Sequence, residues 1–363
     1  AIAGVVNIIT KTEYEGVEVD GRYSWADGGY DDWRARITAG KSFLDGRLNL
    51  SGSYEYNQTG QLAFTDRART AEQLTFAANP ANTSTSDGIP GAIIIFDRRI
   101  PELTTGGLPY RSNSISAAQV ITIANPNGAG RVLAQFGPGG VLQPYNPGQF
   151  YQASIASGGD GLNLAELSSL ISPVKRHVAT AFVKYNLLDN VRVNGEFFYS
   201  EFKAVEPFNQ PIYNSGLFGG NSASLAFSTA NPFLPAATRA ALLDPANNLV
   251  ADAANPGEGI FWLQRASVDI GNNKTRAEGD TFRGVLSVDG DFQFADRNFN
   301  WNLAYAQGIS KGSFESPNII QTRFLEAVDV IRDASGAIVC RSATARANGC
   351  APLNMFGDGA PSQ

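Results

Sequence analysis

Strict two-residue alternation of apolar and polar side chains, sustained over long stretches, is the feature that most constrains this chain. Between residues 17 and 25 the odd positions are Val17, Val19, Gly21, Tyr23 and Trp25, and the even ones are Glu18, Asp20, Arg22 and Ser24. The pattern repeats over 33–43, where Trp33, Ala35, Ile37, Ala39 and Phe43 stand against Arg34, Arg36, Thr38 and Ser42. Over 47–56, Leu48, Leu50, Gly52, Tyr54 and Tyr56 stand against Arg47, Asn49, Ser51, Ser53 and Glu55. It resumes with Ala179, Ala181, Val183, Tyr185 and Leu187, then with Val191, Val193, Gly195, Phe197 and Tyr199. Two further stretches carry Phe282, Gly284, Leu286, Val288, Gly290, Phe292 and Phe294, then Phe299, Trp301, Leu303 and Tyr305. Successive side chains of a strand point to opposite faces, so each stretch has one apolar and one polar face. The alternation predicts seven strands near 15–25, 31–43, 47–57, 176–187, 191–201, 281–294 and 299–311. At about 10–13 residues they are longer than the 5–6 usual in soluble sheets.

Turn parity fixes the registers. Asp45-Gly46 is a two-residue hairpin signal that pairs Phe43 with Leu48, Lys41 with Leu50, Ala39 with Gly52 and Ile37 with Tyr54, each on one face. A loop of Leu188, Asp189 and Asn190 pairs Leu187 with Val191, and a loop from Ala295 to Asn298 pairs Phe294 with Phe299. A turn at Asp289-Gly290 would set Val288 against Asp291 and mix the faces, so 281–294 reads as one strand.

Connections at 26–31, 44–47, 188–190 and 295–298 are short, whereas 58–175, 202–280 and 312–363 are long. Tight turns at one end of a sheet and mostly long loops at the other is the layout of an outer-membrane β-barrel. Loops of this length are uncommon in a soluble domain. Ala-Asn-Pro occurs at 78–80, 124–126, 230–232 and 254–256 and reads as turn punctuation, and short helices are expected at 163–171 and 235–243.

Aromatic placement adds a length. Trp33 and Phe43 lie ten residues apart on one strand. At roughly 3.3 Å per residue and a tilt near 40° this spans about 25 Å along a membrane normal, the height of a barrel's lipid-facing band. Trp25, Trp33, Tyr54, Tyr56 and Tyr199 fall near the long-loop end, and Phe43, Phe294 and Trp301 near the short-turn end. They form two expected aromatic belts. A large antiparallel sandwich with these aromatics in its core is the alternative.

Composition closes other routes. The chain has no run of 18 apolar residues, which excludes helical membrane spans and leaves strand spans open. Charged residues are 17% of the chain, against roughly 25% for a soluble domain. A net charge of −6 without a basic run argues against nucleic acid as a partner. His177 is the only histidine and reads as a solvated strand-end residue, so neither a Ser-His-Asp site nor a zinc site has its material, and no enzyme activity, metal or cofactor is expected. The polar faces place Arg22, Arg34, Arg36, Asn49, Arg192, Glu196, Arg283, Asp289 and Asp291 toward the lumen of such a barrel. Cross-strand charge pairing in wet surroundings is their expected role, with a calcium or substrate site as the alternative. Cys340 and Cys350 are the only cysteines and are expected to form a disulfide in the loop after the seventh strand, as suits an oxidising compartment.

The opening residues Ala1-Ile2-Ala3-Gly4-Val5-Val6-Asn7-Ile8-Ile9-Thr10-Lys11 resemble the last plug strand of the TonB-dependent outer-membrane receptors. Phe324-Leu325-Glu326-Ala327-Val328-Asp329 followed by Cys340-Arg341-Ser342 and Gly349-Cys350-Ala351-Pro352-Leu353-Asn354-Met355-Phe356-Gly357 resembles an extracellular loop of large-loop members of that family. The resemblance implies an all-β transmembrane barrel, 22-stranded when intact, around a plug. Residues 1–11 would end the plug and residues 12–363 would open the barrel, the chain being a fragment whose two ends look cut. It implies a receptor in the outer membrane of a Gram-negative bacterium that binds a scarce siderophore, vitamin or oligosaccharide. Import would draw on the TonB complex through the missing N-terminal part, with outer-membrane lipid around the barrel. A passive porin or adhesin barrel is the rival, and a soluble β-rich carbohydrate-binding or hydrolytic domain is a further one.

Overall fold

The computed structural model describes residues 11–114, 116–206, 212–213, 225–270 and 274–362. The plug-strand reading of the first eleven residues therefore lies, apart from Lys11, outside the described residues.

All seven expected strands form: β1 (Gly16–Ala26), β2 (Tyr30–Phe43), β3 (Leu48–Thr59), β4 (Val174–Leu188), β5 (Val191–Glu206), β6 (Thr275–Phe294) and β7 (Arg297–Glu315). They make one antiparallel sheet in chain order, each strand hydrogen-bonded to the next. The ladders run past the alternating stretches: β5 and β6 pair from Val191–Gly290 to Glu206–Thr275. The sheet is open, with β1 and β7 at its edges. No described helix is long and apolar enough to cross a membrane.

The first hairpin register is as expected, with Phe43 opposite Leu48, Lys41 opposite Leu50 and Ile37 opposite Tyr54. Two others differ. Leu188, not Leu187, pairs with Val191, and the ladder is irregular between Asn186 and Leu188. Leu187 is thus the extra residue of a bulge, and Asp189-Asn190 alone make the turn. At the other hairpin Phe294 pairs with Arg297, and Phe299 lies opposite Phe292. Ala295 and Asp296 both adopt left-handed φ (51° and 58°), which gives a two-residue turn whose twist suits a hairpin. The slip is two residues, so the faces are unchanged.

The long connections are not structureless. Residues 63–168, 208–273 and 317–363 form a compact unit of their own, separate from the sheet unit. Its largest core gathers Ile121, Phe136, Phe227, Leu242, Phe261, Leu263 and Phe356, drawn from all three connections. Gly259–Ala266 is its central strand and pairs with Leu225–Ser228, Val250–Ala251, Leu108–Tyr110 and Ile212–Tyr213. The expected helices are there, shortened to a single 3-10 stretch at Leu164–Leu167 and an α-helix at Ala236–Leu242. Asn163 accepts from the Ala165 N–H and so caps the former.

The Ala-Asn-Pro turns show how proline is used. Asn79, Asn125 and Asn231 each accept, through Oδ1, the N–H two residues on, from Ala81 (3.1 Å), Asn127 (2.9 Å) and Phe233 (3.0 Å). The intervening proline has no N–H to offer and holds the chain in the turn. The fourth differs, since Asn255 instead donates from Nδ2 to Asp252 (2.6 Å).

Cys340 and Cys350 are disulfide-bonded, with Cα atoms 6.4 Å apart. Between them Ser342 caps a short helix, Ala343–Ala347, by accepting from the Ala345 N–H. Gly349, at φ 81°, then turns the chain back, a conformation that suits glycine.

Candidate functional site

The sheet carries apolar side chains on one face and polar ones on the other, and along β7 both faces are exposed. On the apolar face Val19 (75%), Leu286 (57%) and Leu303 (71%) are largely exposed, as are Trp25 and Phe294. None of the buried apolar clusters among the described residues contains a residue of this sheet. Of the aromatics expected to form belts, Trp25, Trp33, Phe43 and Phe294 lie near strand ends, whereas Tyr54 and Tyr199 are mid-strand, because β3 and β5 run on to Thr59 and Glu206. Trp33 and Tyr56 pack at 4.8 Å between ring centroids, and Phe292 and Phe299 stack at 5.3 Å. His177 is not the solvated residue expected. It is half-buried beside Tyr56 and shares a 2.7 Å hydrogen bond with the Tyr54 hydroxyl.

The polar face carries ion pairs between strands. Arg34 reaches Asp20 at 2.7 Å and Glu55 at 3.8 Å. Arg22 is the residue directly opposite Arg34, so the pair to Asp20 is diagonal, and the Arg22 Nε donates to Ser24 instead. Arg192 reaches Asp289 at 2.7 Å, and the other Asp289 oxygen accepts from the Asn194 amide at 2.6 Å. Arg283 and Glu196 are 3.5 Å apart. Asp291 departs from the expectation: opposite Asn300 and beside the turn, it engages Asn190 through its backbone. Arg36 lines a recess of about 320 Å³ on this face with Lys11, Glu18 and Ser53.

This same face also holds chain. The segment preceding β1 crosses it: the Asn49 amide donates to the Tyr14 carbonyl (3.3 Å) and the Ser51 hydroxyl to the Thr12 carbonyl (3.0 Å). Glu13 is ion-paired with Lys184, and the Tyr14 hydroxyl donates to Glu18 (3.1 Å). Asn49 and Ser51 are buried in consequence, at 7% and 8% exposure, although they sit on a polar strand face. Gly40 makes the close approach possible, because a Cβ there would lie 2.3 Å from the Tyr14 carbonyl oxygen. Of these anchoring residues the alternation puts Asn49 and Ser51 on a polar face, and only Asn49 is among the residues expected to face a lumen. An isolated glycine inside a polar strand face is the signal that marks Gly40, since such a glycine commonly admits a second backbone.

No group of three or more His, Cys, Asp or Glu side chains placed to hold a metal occurs among the described residues. No protein-family model and no curated protein matches the chain.

Proposed function

We propose that this chain is part of an outer-membrane receptor and active transporter of the TonB-dependent kind. Its seven strands would belong to a closed barrel whose remaining strands take up the free edges of β1 and β7. A sheet whose apolar face is exposed while its polar face receives chain is built inside out relative to a soluble domain, and lipid is the surrounding that accounts for it. The observation that carries the transport reading is the anchoring of residues 12–14 by Asn49, Ser51 and Lys184. A porin needs an empty lumen, whereas a plugged transporter needs its polar wall to grip the chain that leads out of the plug.

The steps follow from that arrangement. The plug closes a lumen that would otherwise leak. The compact unit formed by the long connections captures the ligand outside the cell, and its own core gives it a fixed surface. Energy reaches the plug from the TonB complex of the inner membrane, since no nucleotide is on hand in the outer membrane. Siderophore, vitamin and oligosaccharide are the cargo classes.

The test is made in the cell that carries the protein. It should pellet with the outer membrane, and uptake of one probe among ferric siderophore, cobalamin and maltooligosaccharide should depend on it and stop on adding a protonophore. Uptake that survives the protonophore would reassign the barrel to the passive class, and recovery from the soluble fraction would end the membrane reading.

A further inference from the structure

The connection between β3 and β4 contains a cleft of about 430 Å³ that lies wholly within the compact unit. Its apolar lining comes from Phe64, Leu74 and Leu164. Arg69 and Arg98 also line it, and no carboxylate is among its lining residues. Neither arginine has an ion-pair or hydrogen-bond partner among the described residues, and the Nε of Arg98 is buried without one.

Arg98 is placed by the short strand Arg98–Arg99, which pairs with Ser157 and Ala156. Its neighbour Arg99 is satisfied by Asp97 at 2.8 Å, so Arg98 is the one left open. Arg69 sits on the single helical turn Ala68–Ala71. That turn is braced by the Thr70 hydroxyl, which donates to the carbonyls of Phe64 and Arg67. The Ser168 hydroxyl, also in the lining, donates to the Leu164 carbonyl (2.7 Å). Both hydroxyls have spent their protons on backbone and the Gln73 amide donates to Asn163, so the donors left among the lining residues are the arginines and the Thr75 hydroxyl.

A buried guanidinium nitrogen without an acceptor is costly, by about 1–3 kcal/mol or more for a charged group. An anion relieves it, and arginine's planar fork matches a carboxylate or phosphate with two parallel hydrogen bonds. The apolar side chains that line the same cleft favour an anion with an apolar body over inorganic phosphate alone.

We propose that this cleft binds a small organic anion, a carboxylate or phosphate monoester, with its charge on Arg98 and Arg69 and its apolar body against Phe64, Leu74 and Leu164. The view that this anion is part of the transported cargo rests on the transporter reading above, whereas the binding itself does not.

Benzoate, phenyl phosphate and the neutral isostere benzamide are titrated into the full-length protein in detergent and followed by calorimetry. At least one of the two anions should bind about tenfold or more tightly than benzamide, and the better one names the head group. Arg98→Met should weaken that anion about tenfold or more while leaving benzamide unchanged, and Arg98→Lys should fall between. Arg69→Gln, at an exposed position, supplies the second variant should Arg98→Met fail to fold. Equal binding of anions and benzamide, no binding of any probe, or anion affinity untouched by both Arg98→Lys and Arg69→Gln would overturn the proposal. Anion binding by a protein that shows no energy-dependent uptake would leave the site standing and remove its role in transport.

Discussion

The carbonyl of Tyr14 lies against Gly40 with no room for a side chain between them: a Cβ on residue 40 would come within 2.3 Å of the carbonyl oxygen and 3.0 Å of the Ser51 Cβ. The contact is with backbone, which cannot rotate away as a side chain end would. Gly40→Val should therefore lift residues 12–14 off the sheet while leaving the β2–β3 ladder in place. Ser51→Cys reports the change, because Ser51 is buried beneath that segment. A hydrophilic maleimide should label Cys at 51 slowly in the parent background and fast when Gly40→Val is added. Equal rates would show that the segment does not depend on the gap at Gly40.

The opposed faces give a second prediction. Single cysteines at Val19, Ile37, Leu50, Val193, Leu286 and Leu303 of the membrane-inserted protein should resist hydrophilic maleimides, and those at Arg22, Arg36, Glu196, Asp289 and Asn302 should react. Asn49 is left out of the second set because the Tyr14 segment covers it. Leu303→Arg should cost about 2–4 kcal/mol if mid-strand in lipid, and Asn302→Arg on the neighbouring polar position much less. Indistinguishable labelling of the two sets would reject the sidedness.

What the sequence makes legible here is what repeats with a two-residue period. Strands β1 to β7 have one apolar and one polar face, so their pattern survives in a single sequence. Gly259–Ala266 does not show it, because Phe261, Leu263 and Ala266 are buried and so are Gln264 and Arg265 between them. A strand enclosed on both sides loses its alternation and reads as an apolar run in a loop. The hairpin slips at Leu187 and Phe294 have another cause: Asp189-Asn190 and Ala295-Asp296 lack the glycine that marks a tight turn, yet make one. The anchoring of residues 12–14 is hidden because two of its contacts, from Asn49 and Ser51, go to backbone carbonyls, which carry no residue identity, and the third pairs Lys184 with Glu13, far apart in the sequence. The cysteine pair was legible because two thiols admit one partner choice.

The bond between Cys340 and Cys350 closes a ring of eleven residues that already holds a capped helix and the Gly349 turn. Its loss should cost the compact unit roughly 2.8 kcal/mol on the chain-entropy account. Arg346 also ties the ring, donating to the carbonyls of Cys340 (2.6 Å) and Arg341 (2.9 Å). Reduction should therefore loosen 340–350 locally, seen as faster hydrogen exchange there, with the exchange of β1 to β7 unaltered. Exchange that rises across the sheet as well would show the bond to be a condition of the whole fold.

Arg265 is wholly buried and meets Asp269 in a two-pronged pair at 2.7 and 2.5 Å. The pair also holds the distant end of the chain, since Arg265 donates to the Gly357 carbonyl (3.0 Å) and Asp269 accepts from the Gly359 N–H (2.8 Å). Removing one partner leaves a buried charge uncompensated. Asp269→Ala should destabilise the compact unit by about 3–5 kcal/mol, while the double replacement Arg265→Met, Asp269→Leu should recover a substantial part of that loss. Chemical denaturation followed by the tryptophan fluorescence of Trp262, on the same strand as Arg265, measures both. A single variant as stable as the parent would mean that water reaches Arg265.

Glu102 supplies the pH dependence. It is largely buried, and burial holds its carboxyl above the usual carboxylate range against the lowering effect of the Ser154 N–H, which donates to it at 2.6 Å. Its second oxygen is buried without a partner. A carboxyl raised in the folded state is bound to its proton more tightly there than in the unfolded chain. Folding is then favoured most below the unfolded pKa, and stability falls as pH rises through the window between the unfolded and the folded value. Above that window the penalty is constant, because the charged form must be kept in a site that disfavours it. Glu102→Gln keeps an acceptor for the Ser154 N–H and removes the charge. The variant should be more stable than the parent at neutral pH, and the difference should shrink as the pH is lowered through the carboxylate range. Unfolding midpoints measured from pH 4 to pH 8 on both proteins decide it: parallel curves would show that Glu102 titrates as it does in the unfolded chain, with water at its second oxygen.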